Sequence, residues 1–397
     1  MSPATARVMD GIVELARDLV RIPTRAGIDP PGRILDFVVN WCQAHDLPHA
    51  RLEEKGRSVG IFSHLSSGTK GPALCLDACL DTAPFGDETK WSHPPTAAAV
   101  VNGRLFGRGA ADSKMGAAIF LTLLSEFHHE DAPRRGDLYL LLDADEHTGE
   151  FGGAKEFIRK ADPRPEAIWI GYPGNDTIVG GSRGFLRARL SVAGMAAHSG
   201  SKRRKGVNAV SRAARLVLAL EAIRLPPEPD PAFSFGPSLT VTALHGGHGF
   251  SVVPDSCELN LDIRLTPNSD AGATRQLVQQ TVADFDRECP GPRPTRIEWE
   301  DSWPAFRVPD SSPVIFSLRS AAEEVFGRTV PTTVSGPSNI GNYLASLGIA
   351  PMAGFGVTYD NVHAVDEWCD ISSVQPVYET YRRAILDFLD RPASGRT

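Results

Sequence analysis

The rhythm of apolar residues changes near Gly171, and that change constrains the fold more than any other feature of the chain. Before it, apolar runs too short for helices, at 73–80, 138–142 and 167–171, alternate with helical stretches at 115–127 and 154–160. The runs lack the polar alternation of a half-exposed strand and read as strands covered on both faces. Strands of that kind separated by helices predict an α/β domain, a mostly parallel sheet with helices packed on it. Two amphipathic helices precede the sheet region. One spans 8–20 with Ile12, Leu15 and Leu19 on one face, the other 34–44 with Leu35, Val38, Val39 and Cys42.

After Gly171 strands are predicted at 185–192, 239–244, 258–265 and 295–299, with helices at 207–223 and 271–287. Strand, helix, strand, strand, helix, strand is the order of a small α+β split βαβ module. Pro226, Pro227, Pro229 and Pro231 stiffen a loop inside it. Beyond Pro304 the first pattern resumes, with helices at 313–326, 340–347 and 375–389. The chain has 397 residues, more than the roughly 250–300 at which one core stops growing. The expected organisation is an α/β domain built from 1–183 and 304–397, interrupted by an α+β domain inserted at 184–303.

Charge excludes some partners. The formal net charge is −7, and the one dense basic run, Lys202-Arg203-Arg204-Lys205, is too short to follow a phosphate backbone and reads as a solvated loop. Nucleic acid is therefore not an expected partner. A membrane is not expected either, because no stretch of 18 apolar residues occurs. The first residues lead into a charged amphipathic helix instead of a signal segment, which places the protein in the cytoplasm. Six scattered cysteines without a CxxC pair are expected to be thiols. Cys75 and Cys79, on one strand, would stand about 13 Å apart, beyond disulfide reach.

Four clusters carry chemistry. In residues 74–84, Cys75, Asp77, Cys79 and Asp81 fall on one face at the end of an apolar strand, where an open α/β sheet builds its site. Residues 107–116 place Gly107, Gly109 and Asp112 just before an apolar helix, where a helix amino terminus favours a carboxylate. At 143–147, Asp143, Asp145, Glu146 and His147 crowd ionisable groups at another strand end, costly unless a cation or substrate is there. Finally, His363 stands in a loop with Asp366 and Glu367 behind it. Taken singly, these have plain structural explanations: strand-end acids, a helix cap at Asp112, a surface histidine. Only their combination makes a functional site the better reading.

In this order the clusters resemble the acetylornithine deacetylase, succinyl-diaminopimelate desuccinylase and aminoacylase family of co-catalytic metallopeptidases, over residues 8–389. Members of that family hydrolyse amides and bind a pair of zinc ions bridged by one aspartate. The resemblance implies that Asp112 is the bridging carboxylate, Glu146 the general base acting on the attacking water, His363 a terminal ligand and Asp81 the acid that orients a ligand. Three positions depart from the pattern: Cys79 stands at the first histidine, His147 at the second glutamate, and Tyr172 at an acidic ligand. Asp112, His147 and His363 would serve one ion and leave an open position. The other ion would keep Asp112 and Cys79 with a neutral tyrosine, a reduced site. Zinc is the first choice, with cobalt, manganese or iron as alternatives.

In the inserted domain, residues 194–200 and 206–210 are similar to the family's lid sequence, in which a histidine crosses a dimer interface to the tetrahedral oxyanion. Carried over to His198, this implies a homodimer with shared active sites. Arg264 and Asn208 look like the lid residues that meet the substrate carboxylate, and Asn339 occupies a substrate-loop position where relatives often have an aspartate. The expected activity is hydrolysis of a small N-acyl amino acid or peptide-like amide. Two alternatives stand beside it: a non-hydrolytic reaction such as amide formation or cyclisation, and a homolog that only binds ligand.

Overall fold

The computed structural model describes residues 3–130, 135–201, 206–352 and 354–391; the basic run 202–205 lies outside them. The chain divides into two compact units, one of Met1–Gly181, Arg307–Thr333 and Asn339–Thr397, the other of Ser182–Phe306 and Val334–Ser338.

The first unit is built on a six-stranded sheet in the order Ala50–Glu54, Arg57–Ser66, Asp137–Asp143, Ala73–Cys79, Ala167–Ile170, Ala350–Met352. Ala73–Cys79 lies inside the sheet, parallel to both neighbours, with Leu76 opposite Leu140 and Trp169. The helix Met115–His129 packs on this strand. All seven of the strand's residues are buried, which is why the sequence shows no alternation there. Each leucine so covered contributes about 1.5–3 kcal/mol. Helices Pro313–Phe326 and Val374–Leu389 pack on each other, and Trp169, Phe355 and Tyr381 are fully buried.

Two features were not anticipated. Ala50–Glu54 and Arg57–Ser66 form an antiparallel hairpin whose turn, Lys55-Gly56, has both φ values positive (51° and 77°), the geometry favoured in two-residue hairpins. It makes one side of the sheet antiparallel. The second is a small sheet in the order Tyr359–Asp360, Trp368–Asp370, Arg104–Phe106, Ala99–Val101. Pairing of Trp368–Asp370 with Arg104–Phe106 brings the His363 loop beside the turn that carries Asp112.

The second unit has the predicted order. Strands Gly184–Ala193, Ser238–Gly246, Ser256–Leu265 and Arg296–Trp303 form one antiparallel sheet, with Gly184–Ala193 between Ser256–Leu265 and Arg296–Trp303. Ser256–Leu265 buries every second residue, including Leu259, Leu261 and Ile263, under helices Ala209–Glu221 and Ala271–Glu288. Arg212, buried at 7% exposure, ties these helices together by donating to Asp286 and to the Cys289 carbonyl.

Candidate active site

The strand Ala73–Cys79 stops two residues short of Asp81, so Asp81 is placed by the chain beyond the strand and not by its pleat. Leu80 donates its N–H to the Asp143 carbonyl at 2.6 Å, which carries the segment past the neighbouring strand. There Asp81, 4% exposed, accepts the backbone N–H groups of Glu146 at 3.2 Å and His147 at 2.8 Å. Asp143 accepts those of Asp145 and Ala154. The two aspartates thus shape the loop that presents Glu146 and His147.

Asp112 is held from the other side. It lies in a turn with φ −119° and ψ 89°, and the helix behind it begins after Lys114, so Asp112 is not the helix cap the sequence allows. The turn is organised by Glu367, a fully buried side chain. Its Oε1 accepts the N–H groups of Gly109, Ala111 and Asp112 at 3.0, 3.1 and 3.3 Å, and its Oε2 pairs with Arg108 Nη1 at 2.6 Å. Gly109 has φ 83°, and a Cβ there would fall 2.6 Å from Thr82 Cγ2, so the turn requires glycine.

Four donor side chains meet between these loops. His363 Nε2 lies 3.0 Å from Asp112 Oδ2 and 3.2 Å from His147 Nε2, and His147 Nε2 lies 3.7 Å from Asp112 Oδ2. Cys79 Sγ is 4.0 Å from Asp112 Oδ1 and 3.3 Å from Ser113 Oγ. Ligand atoms of Cys79, Asp112 and His147 all lie within 4.8 Å of one another.

The electrostatics follow from this crowding. Burial opposes the charge on Asp112, but His147 and His363 outweigh it and hold the carboxyl well below its usual range. Burial also works against a charged His147, yet Asp112 and Asp81 raise its ring well above the ordinary imidazole value. Burial, reinforced by the charges of Asp112 and Asp81 and opposed by His147, pushes Glu146 up to about 7.

A divalent cation suits this donor set. Donors about 2.0–2.1 Å from a tetrahedral ion stand roughly 3.3 Å from each other, and the imidazole and carboxylate atoms here are 3.0 to 3.7 Å apart. His147 Nδ1 is buried without a hydrogen-bond partner. Asp112, His147 and His363 are the residues that would hold the ion.

A model of peptidase family M20/M25/M40 matches residues 75–387. The chain belongs to that family. As a member it is a metal-dependent enzyme that hydrolyses amide bonds, which disfavours the non-hydrolytic and binding-only alternatives. It is similar to a succinyl-diaminopimelate desuccinylase of Marinobacter nauticus, 28% identical over 95% of this chain and 98% of that one. Its fold is that of an M20 metallo-carboxypeptidase from Sulfolobus solfataricus (TM-score 0.79, 17% identity, 95% and 99% of the two chains). A dinuclear metal-binding M20 peptidase of Bacillus subtilis also shares it (TM-score 0.69, 13% identity, 97% and 99%).

The other expected M20 site residues have local tasks. Tyr172 donates its N–H to the Ile170 carbonyl, and its Cβ stands so close to Gly354 that an added Cβ there would lie 2.1 Å away. Asn339, 2% exposed, caps the helix Ile340–Ser346 through Gly341 N–H, and its Nδ2 is buried without a partner. In the second unit Asn208 caps Ala209–Glu221 by accepting from Ser211 N–H. Arg264 reaches Asp262 at 2.8 Å and Ser338 Oγ at 3.1 Å. His198 is exposed, and its Nδ1 accepts the Gly200 N–H at 3.0 Å. Glu367 was missed as the residue that shapes the metal-side turn. Its signal was an acid four residues after His363, but its partners lie more than 250 positions away in sequence.

Proposed function

We propose that the chain removes the acyl group from a small N-acyl amino acid or splits a peptide-like amide, with Glu146 as the proton-transfer group. The observation that carries this reading is the meeting of the Asp112, His147 and His363 donors at 3.0 to 3.7 Å, with Glu146 next to His147 on the loop that Asp81 holds through both backbone N–H groups. A carboxyl that titrates near neutral pH takes a proton from water and returns it to a leaving amine with little penalty in either direction. When bound, the ion polarises the amide carbonyl. Asp81 keeps Glu146 and His147 in place through their backbone N–H groups.

Zinc is the ion proposed first, because two imidazoles and a carboxylate suit it. In the same reading His198 supplies a hydrogen bond to the developing oxyanion from the partner of a homodimer. Arg264 and Asn208 are proposed to meet the substrate carboxylate, a task for which a forked guanidinium is suited, and Asn339 is proposed to bind substrate from its own loop. The boundaries 1–183, 184–303 and 304–397 are proposed as catalytic, lid and catalytic segments. Among the described residues no helix is long and apolar enough to cross a membrane, which agrees with the proposed cytoplasmic location.

The desuccinylase relative makes N-succinyl derivatives of diamino acids the first substrates to try, and the resemblance to acetylornithine deacetylases adds N-acetyl ones. Release of free amine from such a panel with zinc, cobalt or manganese present tests the proposal. No release from any N-acyl amino acid or dipeptide with any of these ions would refute it.

A further inference from the structure

We propose that Asp366 is a positioning residue for the metal site: by accepting two hydrogen bonds from Ser92 it fixes the loop that carries His363 and sets His363 Nε2 against Asp112. The inference rests on the metal-hydrolase reading of the site and deepens it by naming what aims one of the three ligands.

His363 is not aimed by packing. Its side chain is 52% exposed, although its Nε2 stands 3.0 Å from Asp112 Oδ2. A ring that open is located by its backbone, and the backbone here is unusual. Asn361, His363 and Asp366 have φ values of 58°, 62° and 57°. Asn, Asp and His enter the left-handed region more readily than other side chains, but each such residue still costs free energy and persists only where its surroundings hold it.

The base of the loop is held by the pairing of Tyr359 with Cys369 and of Asp360 with Trp368. Its far side is held by Asp366, whose Oδ1 accepts the Ser92 N–H at 2.7 Å and whose Oδ2 accepts the Ser92 hydroxyl at 2.8 Å. Asn361 closes the loop from within. Its Nδ2 donates to the Asp366 carbonyl at 3.3 Å, and its carbonyl accepts the Ala364 N–H at 2.9 Å. His363 lies between these two fastened residues.

Ser92 is a firm anchor because the chain around it is tied down. Trp91 is buried, donates its indole N–H to the Phe85 carbonyl at 2.9 Å and has the Arg108 guanidinium 5.2 Å from its ring. The Pro95 carbonyl accepts the Arg108 N–H at 2.8 Å, and the Glu367 carbonyl accepts that of Gly107 at 2.9 Å. The turn carrying Asp112 and the loop carrying His363 are therefore fastened to one segment, 91–95, which sets the spacing of the two ligands. Without the link from Asp366 to Ser92 the loop samples other conformations, and an ion binds only the fraction of molecules in which His363 faces Asp112.

The test measures zinc affinity of the full-length protein by competition with a chromophoric chelator, together with thermal unfolding of the metal-free form. In Asp366→Ala the affinity is expected to fall about tenfold, the effect of a loop that is competent about one-tenth of the time. Asp366→Asn keeps an oxygen for the Ser92 N–H and offers its amide to the hydroxyl, so it should restore most of the affinity. The readout that a merely structural role would not move is the coupling to His363: in a His363→Ala background, followed with a weaker chelator, Asp366→Ala is expected to change the affinity no further. If Asp366→Ala does not fold, Ser92→Ala, which removes one of the two hydrogen bonds, goes through the same cycle with a smaller expected loss. An unchanged affinity in Asp366→Ala, whatever its stability, or an equal fall in the His363→Ala background overturns the inference while the unmodified protein still binds zinc and hydrolyses amides. Absence of bound zinc together with absence of amide hydrolysis in the unmodified protein overturns both this inference and the functional reading beneath it.

Discussion

Asp81 holds His147 by its backbone: its Oδ2 accepts the N–H at 2.8 Å, while its Oδ1 faces the ring Nδ1 across 3.5 Å without a hydrogen bond. A carboxylate on that side favours the tautomer with hydrogen on Nδ1 and turns the Nε2 lone pair toward Asp112 and His363. Asp81→Asn keeps the size and one acceptor but removes the charge. Its expected effect is a loss of ion affinity of about 10–100-fold, typical of a disrupted partner behind a metal ligand. Competition with a chromophoric chelator measures it, and an unchanged affinity would show that the backbone contacts alone place His147.

Glu146 is expected to act on protons and not to hold the ion. Glu146→Gln should therefore lower kcat by about 10²–10⁴-fold, the usual contribution of a positioned acid–base group, while the metal content per chain stays the same. Turnover with initial rates and elemental analysis on one preparation separate the two roles. A large fall in bound ion would assign Glu146 to the ligand set instead.

The central sheet and the order of strands and helices after Gly171 were legible because their signals are local. The helix Pro313–Phe326 was expected at those residues, and the strand Asp137–Asp143 exceeds its prediction by one residue at each end. The hairpin at 50–66 was overlooked although Lys55-Gly56 marks its turn, since its strands carry no continuous apolar run. Strands as short as Arg104–Phe106 and Trp368–Asp370 have no period to detect. The same limit hid Glu367, whose purpose appears only when residues 108–112 are folded against it. The candidate site residues were found by resemblance and by clustering of ionisable groups at strand ends; their mutual distances are tertiary information.

Removal of the ion should abolish hydrolysis and weaken the first unit. A ligand present at 100 times its Kd stabilises the folded state by about 2.7 kcal/mol. In a unit of this size that corresponds to roughly 5–10 °C in Tm. Scanning calorimetry before and after chelation, with zinc added back, measures the shift. Because the proposed ligands Asp112, His147 and His363 all lie in the first unit, a shift confined to another transition would contradict their assignment.

The buried pair of Arg108 and Glu367 makes the sharpest prediction about stability. Arg108 is 2% exposed and Glu367 0%, so removing one charge leaves the other desolvated and uncompensated. Glu367→Ala also strips an acceptor from the N–H groups of Gly109, Ala111 and Asp112. The expected cost is about 3–5 kcal/mol, as for other broken buried pairs. Glu367→Gln retains an oxygen for the three N–H groups and loses only the charge facing Arg108, so it should be less destabilised. Urea unfolding ranks the variants, and ion affinity shows whether the turn still presents Asp112. If Glu367→Ala unfolds like the unmodified protein but binds the ion more weakly, the carboxylate serves to aim Asp112 and contributes little to the fold. If both variants lose stability and keep ion affinity, the turn is held by its glycines and by Lys114, whose ammonium donates to the Ile22 carbonyl at 2.8 Å.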